Sequence, residues 1–139
     1  MSVDAFLDTN ILLYAQSKDP AEAGKKTTAR EILALPRVAL SAQVLGEFYV
    51  NATGKIKPPL THGEAERILR GLDFLPIQAI TPALVFQALE IEARHGISYW
   101  DSLIIAAAKE LGCRRIFSED LSDAQSYVGV EVVNPFRSL

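Results

Sequence analysis

Short apolar segments alternate with longer helical ones along this chain, and that alternation constrains its fold more than any other feature. Residues 3–7, 38–40, 115–117 and 131–133 are brief and mostly apolar. Each is too short for a helix and reads as a strand buried on both faces. Between them lie stretches with helical composition and recognisable ends. Residues 21–35 stop before Pro36. Ser41 can cap a helix over 42–53, and Thr61-His62-Gly63-Glu64 fits a capping box for one reaching Leu72. Thr81-Pro82 opens a helix that ends near Arg94, with Gly96 beyond it, and Ser98 opens another that Gly112 closes. A further strand is expected somewhere in 74–80, interrupted by Pro76. Strands that alternate with helices give an α/β fold with a mostly parallel, buried sheet.

With 139 residues, 49% of them hydrophobic, the chain supplies one core, and residues 1–139 read as a single domain. The net charge of −3 argues against a protein that coats nucleic acid by bulk charge. It does not argue against a nuclease, because a bound metal ion supplies positive charge locally. Cys113 is the single cysteine, so no internal disulfide forms, and a reducing cytoplasm is the expected setting. No segment reaches the roughly 20 apolar residues that span a bilayer. Residues 1–8 carry Asp4 and Asp8 and no basic stretch of the kind that opens a secretory leader.

In open parallel sheets, ligands bind beyond the carboxyl ends of the strands. Asp8 follows the first strand there, and Ser118-Glu119-Asp120 follows the strand ending at Phe117. On the helix over 42–53, Val44, Leu45, Phe48, Tyr49, Val50 and Ala52 cover most of the circumference. The remaining polar stripe is Gln43, Glu47 and Asn51, which faces either solvent or a polar site. The helix from Tyr99 to Leu111 is apolar nearly all round and therefore buried. Asp101 falls on the side of Ile104, Ile105 and Ala108, where an uncompensated carboxylate costs several kcal/mol.

Each acid also has an ordinary structural reading. Asp8 can cap the helix that starts near Asn10, Asp101 can close a capping box with Ser98, and Asp120 can sit in a turn. Those readings do not account for the set. If the four acids converge, they repel, and a cation makes the cluster tolerable. All-oxygen ligands select a hard ion, Mg²⁺ or Mn²⁺. Neither His62 nor His95 has a partner at metal-ligand spacing, and both read as structural, as does Cys113.

Four segments in order resemble the motifs of the PIN-domain ribonuclease family, especially its VapC-type toxins. They are Phe6-Leu7-Asp8-Thr9-Asn10-Ile11-Leu12, then Ser41 to Tyr49 around Glu47, then Ile97 to Ala108 around Asp101, then Ile116-Phe117-Ser118-Glu119-Asp120-Leu121. Val132-Val133-Asn134-Pro135-Phe136 is similar to the family's closing strand. The resemblance covers nearly the whole chain. It implies a three-layer α/β/α sandwich and an acidic, catalytic, metal-holding site of Asp8, Glu47, Asp101 and Asp120. Asp120 is preferred over Glu119 and Asp123 because the family places its acid two residues after the Ser or Thr.

The expected activity is Mg²⁺-dependent hydrolysis of RNA phosphodiester bonds, with Thr9, Asn10 and Ser118 as hydrogen-bonding support. The expected partners are RNA, a small antitoxin and a second copy of the chain in a homodimer, with no membrane. Lys55 and Lys57 are candidates for touching the RNA backbone, and Tyr14, Ile32 and Leu35 for an antitoxin groove. Two other readings stand beside this one: a catalytically silent PIN-like module that binds RNA or protein, and a metal-dependent phosphatase. The phosphatase is disfavoured because a second acid is wanted two residues after the first, where Asn10 stands.

Overall fold

The computed structural model describes residues 3–139. Strand β1 (Ala5–Leu7) leads through α1 (Thr9–Ala15), a 3-10 turn at Pro20–Glu22 and α2 (Ala23–Leu33) into β2 (Val38–Ser41). Helices α3 (Ala42–Gly54) and α4 (His62–Arg70) connect to β3 (Ile77–Gln78), and α5 (Pro82–His95) and α6 (Tyr99–Glu110) to β4 (Arg115–Phe117). Strands β5 (Ser126–Tyr127) and β6 (Val130–Val133) follow.

The strands form one sheet in the order β3-β2-β1-β4-β6-β5. Every pairing is parallel except β5 with β6. A parallel pair needs a crossover, and crossovers are right-handed. The chain winds outward from β1 to β2 and β3, then returns to β4 on the far side of β1. Reversing direction with one handedness puts the first four helices on one face of the sheet and the last two on the other. The packing agrees: α1 lies on α2 and α3, and α3 on α4, while α5 lies on α6 and α6 crosses β2, β4 and β6. The result is the expected three-layer α/β/α sandwich.

The core explains the composition. Phe6, Leu7, Leu40, Ile116 and Val132 in the strands are fully buried. Helix α6 buries an unbroken run from Ser102 to Ala108, because it is pressed between the sheet and α5.

Several expectations change at the edges of elements. The strand expected within 74–80 shrinks to Ile77–Gln78, because Pro76 has no N–H and contributes only its carbonyl, which accepts from the Leu40 amide at 3.0 Å. The helix expected over 21–35 is divided: Asp19 caps the 3-10 turn, and α2 begins at Ala23. Helix α3 is less buried than its composition suggests, since Val50 is 58% exposed. Its inward face is Gln43, Val44, Phe48 and Ala52. Strand β5 was not anticipated, being two residues long with Ser126 exposed.

β1 and β4 are neighbours in space, yet the chain leaves β1 in one direction and reaches β4 from the other. This is the topological switch point, where a crevice opens beyond the carboxyl ends. Asp8 and Ser118 are the first residues past those two strands. Asp4, at the opposite end of β1, pairs with Arg37 at 2.7 Å.

Candidate active site

Asp8 is built into the sheet's edge. Its amide donates to the Phe117 carbonyl at 3.0 Å, extending the β1–β4 ladder by one bond. Its side chain then turns back on both strands' exits. Oδ1 accepts from the Thr9 amide at 2.8 Å, and Oδ2 accepts from Ser118 Oγ at 2.7 Å. Asp8 is 7% exposed. Burial pushes its carboxyl up to about 6 from an ordinary 3.8, against the pull of the Ser118 and Thr9 hydrogen bonds; the charges of Asp120 and Glu47 push it further up.

Ser118 is a fully buried junction. Its hydroxyl gives its one proton to Asp8 and accepts from the Asp120 amide at 3.1 Å and the Leu121 amide at 3.2 Å. Asn10 ties the same two loops together. Its Nδ2 donates to Asp120 Oδ2 at 3.2 Å, and its Oδ1 accepts from the Glu119 amide at 3.2 Å. Asp120 is thus held through both its backbone and its carboxylate.

Glu47 comes from the first half of α3, on the Gln43–Asn51 stripe. Thr9 Oγ1 donates to its Oε1 at 2.6 Å, and Gln43 Nε2 donates to its Oε2 at 3.0 Å. Gln43 Nε2 also donates to the Trp100 carbonyl at 3.1 Å, which links α3 to the start of α6. The polar stripe therefore faces a polar site. Neither Gln43 nor Trp100 was singled out from the sequence, although Gln43 shared the stripe with Glu47.

Asp101 sits in the first turn of α6. Its amide donates to Ser98 Oγ at 3.1 Å, which is half of a capping box. The other half is missing, because no hydrogen bond reaches the Asp101 carboxylate among the described residues. In α4 the equivalent box is closed on both sides. The capping reading of Asp101 thus accounts for its backbone and not for its charge.

Asp8, Glu47, Asp101 and Asp120 all line one cavity of about 250 Å³, together with Thr9 and Asn10. Four acids from four separate segments border that cavity. Among the described residues, no three His, Cys, Asp or Glu side chains are drawn in around a single ion-sized point. The acids border the space without closing a cage.

The neighbouring acids are committed elsewhere. Glu119 accepts from Tyr14 Oη at 2.6 Å and pairs with Lys25 at 2.7 Å. Burial pushes the Glu119 carboxyl up, but Lys25 and Tyr14 outweigh it and hold it below its ordinary value. Asp123 binds the Asn134 amide at 2.8 Å and pairs with Arg137. Neither borders the acidic cavity.

The family model for the PIN domain matches residues 5–124. This chain belongs to the PIN-domain family. The matched span of this PIN domain runs from β1 past β4 and includes all four acids. A toxin–antitoxin complex from Klebsiella pneumoniae has a similar fold, with a TM-score of 0.71 at 21% identity over 95% of this chain and 98% of that one. Mycobacterium tuberculosis VapC20, described as a sarcin-ricin loop cleaving toxin, gives 0.66 at 22% identity over 84% and 90%. VapBC from Salmonella typhimurium, bound to DNA, gives 0.63 at 18% identity over 94% and 96%. At these identities the likeness establishes the PIN fold. No curated protein matches the chain.

The other singled-out side chains take structural places. His62 lies between Tyr49 and Glu66, and His95 packs edge-on against Tyr127. Cys113 is buried, and that burial pushes its thiol up to about 12, so it carries no thiolate at neutral pH. One expectation fails. Ile32 is 6% exposed and belongs to the core, and Tyr14 is engaged with Glu119. Ile32 is therefore not available to a partner, whereas Tyr14 is half-buried on the wall of a cavity of about 530 Å³ and Leu35 is exposed.

Proposed function

We propose that this PIN-domain protein is a Mg²⁺-dependent endoribonuclease and the toxin of a toxin–antitoxin pair. The observation that carries the reading is the single cavity bordered by Asp8, Glu47, Asp101 and Asp120 at the sheet's switch point. Acids do not gather in a crevice without something to neutralise them.

The residues present fit a hard divalent cation. The donors are all oxygens, and the cavity holds more acceptors than donors. Gln43, which lines the cavity, turns its Nε2 to Glu47, and its Oε1 is buried with no hydrogen-bond partner. Mg²⁺ would suit such a set, since it prefers oxygen ligands and keeps several of its waters. That also suits acids that border the space rather than close on it. Asp8 and Asp101 would hold the ion most directly. Glu47, with both oxygens already accepting hydrogen bonds, and Asp120 would act on it directly or through water. The ion, when bound, lowers the pKa of a coordinated water and neutralises charge on the phosphate. Thr9 and Gln43 aim Glu47, Ser118 aims Asp8, and Asn10 aims Asp120. No side chain is placed as a covalent nucleophile.

The toxin assignment draws on the similar folds, which include a Klebsiella pneumoniae toxin–antitoxin complex and a Mycobacterium tuberculosis toxin described as cleaving the sarcin-ricin loop. A small antitoxin, a homodimeric assembly and a cytoplasmic setting belong to the same proposal. Among the described residues no helix is long and apolar enough to cross a membrane.

The open arrangement of the acids favours a second reading, a PIN module that binds RNA without cutting it. One experiment separates the two. Wild-type protein and the Asp8→Asn and Asp101→Asn variants are incubated with structured RNA and Mg²⁺. Mg²⁺-dependent cleavage that falls about 100-fold or more in both variants supports the nuclease. Cleavage undiminished in both contradicts it, and folded wild-type protein that binds RNA uncut supports the silent module.

A further inference from the structure

The pole of the sheet opposite the acids carries a cluster of the reverse charge. Beyond the amino ends of β1, β2, β4 and β6 lies a cavity of about 620 Å³, bordered by Arg37, Arg114 and Arg115 together with Asp4, Ser126 and Glu131. Three guanidinium groups at one concavity repel one another. A chain of net charge −3 has acids enough to pair with all of them. Among the described residues only Arg37 is paired, with Asp4 at 2.7 Å, and Arg114 and Arg115 make no ion pair.

The cluster is anchored to the sheet. Arg37 has a φ of 62°, in the left-handed region that a residue with a Cβ enters at a cost. Its carbonyl accepts from the Asp4 amide at 2.9 Å, so the backbone and the side chain of Arg37 are both tied to Asp4. The Arg114 carbonyl accepts from the Glu131 amide at 2.9 Å, and Arg115 stands between Ala5 of β1 and Glu131 of β6 in the parallel register. The Arg115 guanidinium lies over the Phe117 ring, 5.2 Å from its centroid, which limits its swing.

A guanidinium offers pairs of N–H groups in a fixed fork that matches the oxygens of a phosphate. Asp4 and Glu131 on the same rim repel an extended polyanion, and the Glu131 carboxylate, which makes no ion pair among the described residues, accepts a hydroxyl. This mixture of charges suits a compact ligand with a phosphate at one end and hydroxyls beside it. We propose that the cavity binds a small organic phosphate, a sugar phosphate or a mononucleotide, with its phosphate on Arg114 and Arg115 and a sugar hydroxyl on Glu131. The site shares no residue with the acidic cavity and stands whether or not the chain cleaves RNA.

Calorimetric titration of the full chain with ribose 5-phosphate and with adenosine 5′-monophosphate tests this. EDTA is present, so that no divalent ion draws phosphate to the acids. Saturable binding of one ligand per chain is expected, weakened about tenfold or more in the Arg114→Gln/Arg115→Gln variant. Both arginines are exposed, so that variant folds, as its unchanged melting temperature should show. The Lys55→Gln/Lys57→Gln variant, whose lysines border the separate cavity of about 530 Å³ beside the acids, binds as wild type does. Glu131→Ala lowers the preference for ribose 5-phosphate over inorganic phosphate. Tighter binding of the monophosphate nucleotide assigns the site to nucleotides, and equal binding assigns it to sugar phosphates. No binding of either ligand, or binding that the arginine variant leaves unchanged, overturns the proposal. So does inorganic phosphate that binds as tightly as both, or single-stranded RNA that displaces them.

Discussion

Asp8 is a buried acid at the site, and its environment makes the cost of that burial measurable. Burial first, then the charges of Asp120 and Glu47, hold its carboxyl at about 6 against an ordinary 3.8. A carboxyl raised on folding favours the folded state most when protonated. Its contribution is complete below about 3.8 and is lost as pH rises through about 6. In metal-free protein the loss between those values is about 3 kcal/mol from this group. Urea midpoints in EDTA at pH 4.5 and 7.5 should show it as a destabilisation at pH 7.5 that Asp8→Asn removes. The Asn variant should melt no lower than wild type at pH 7.5, because its amide oxygen still accepts from Thr9. A clear drop would mean that the helix cap outweighs the buried charge. Ser118→Ala tests the other partner. It strips acceptors from the amides of Asp120 and Leu121 and the donor from Asp8. A cost of about 1–3 kcal/mol in urea denaturation is expected, together with reduced cleavage. An unchanged midpoint would show that water replaces the hydroxyl freely. Asp8 was legible in the sequence because an acid directly after a buried strand is conspicuous. Ser118 was legible as hydrogen-bonding support, but not as the link to Asp8, which lies 110 positions away.

Among the elements, three segments meet at Glu119. Tyr14 on α1, Lys25 on α2 and Glu119 after β4 form one hydrogen-bonded group, and Lys25 also lies over the Tyr14 ring at 4.7 Å. This strap holds the loop whose next residue is Asp120. Lys25 and Glu119 are nearly a third exposed, so the pair adds little to stability. Glu119→Gln should therefore shift the melting temperature by only a few degrees while lowering RNA cleavage severalfold through a less steady Asp120. Cleavage at the wild-type rate would show that Asn10 and Ser118 suffice to hold the loop. Capping signals read the helices well: Ser41, Thr61, Thr81 and Ser98 all cap where composition placed them. The pieces that escaped are those set by tertiary contact. Strand β3 exists because Pro76 and Ile77 reach the edge of β2, and Val50 is exposed because none of the described residues covers that side of α3. Periodicity alone cannot register a missing neighbour.

At the scale of the molecule, alternating short strands and helices were enough to imply a parallel sheet, and the positions of the acids implied a common end of it. Strand order explains why they meet: β1 and β4 are adjacent only because the chain reverses direction at β3. Linear spacing cannot show that Asp8 and Ser118 are hydrogen-bonded across 110 positions. Partner surfaces were least legible. Ile32 and Tyr14 looked available in one dimension and are engaged in three. The central claim concerns four carboxylates acting as one cation site, and calorimetric titration of Mn²⁺ at pH 7.5 addresses it directly, comparing wild type with Asp8→Asn, Glu47→Gln, Asp101→Asn and Asp120→Asn. The account predicts that wild type binds and that every substitution weakens binding, by about tenfold or more for Asp8 and Asp101. Equal binding by wild type and all four variants would contradict it.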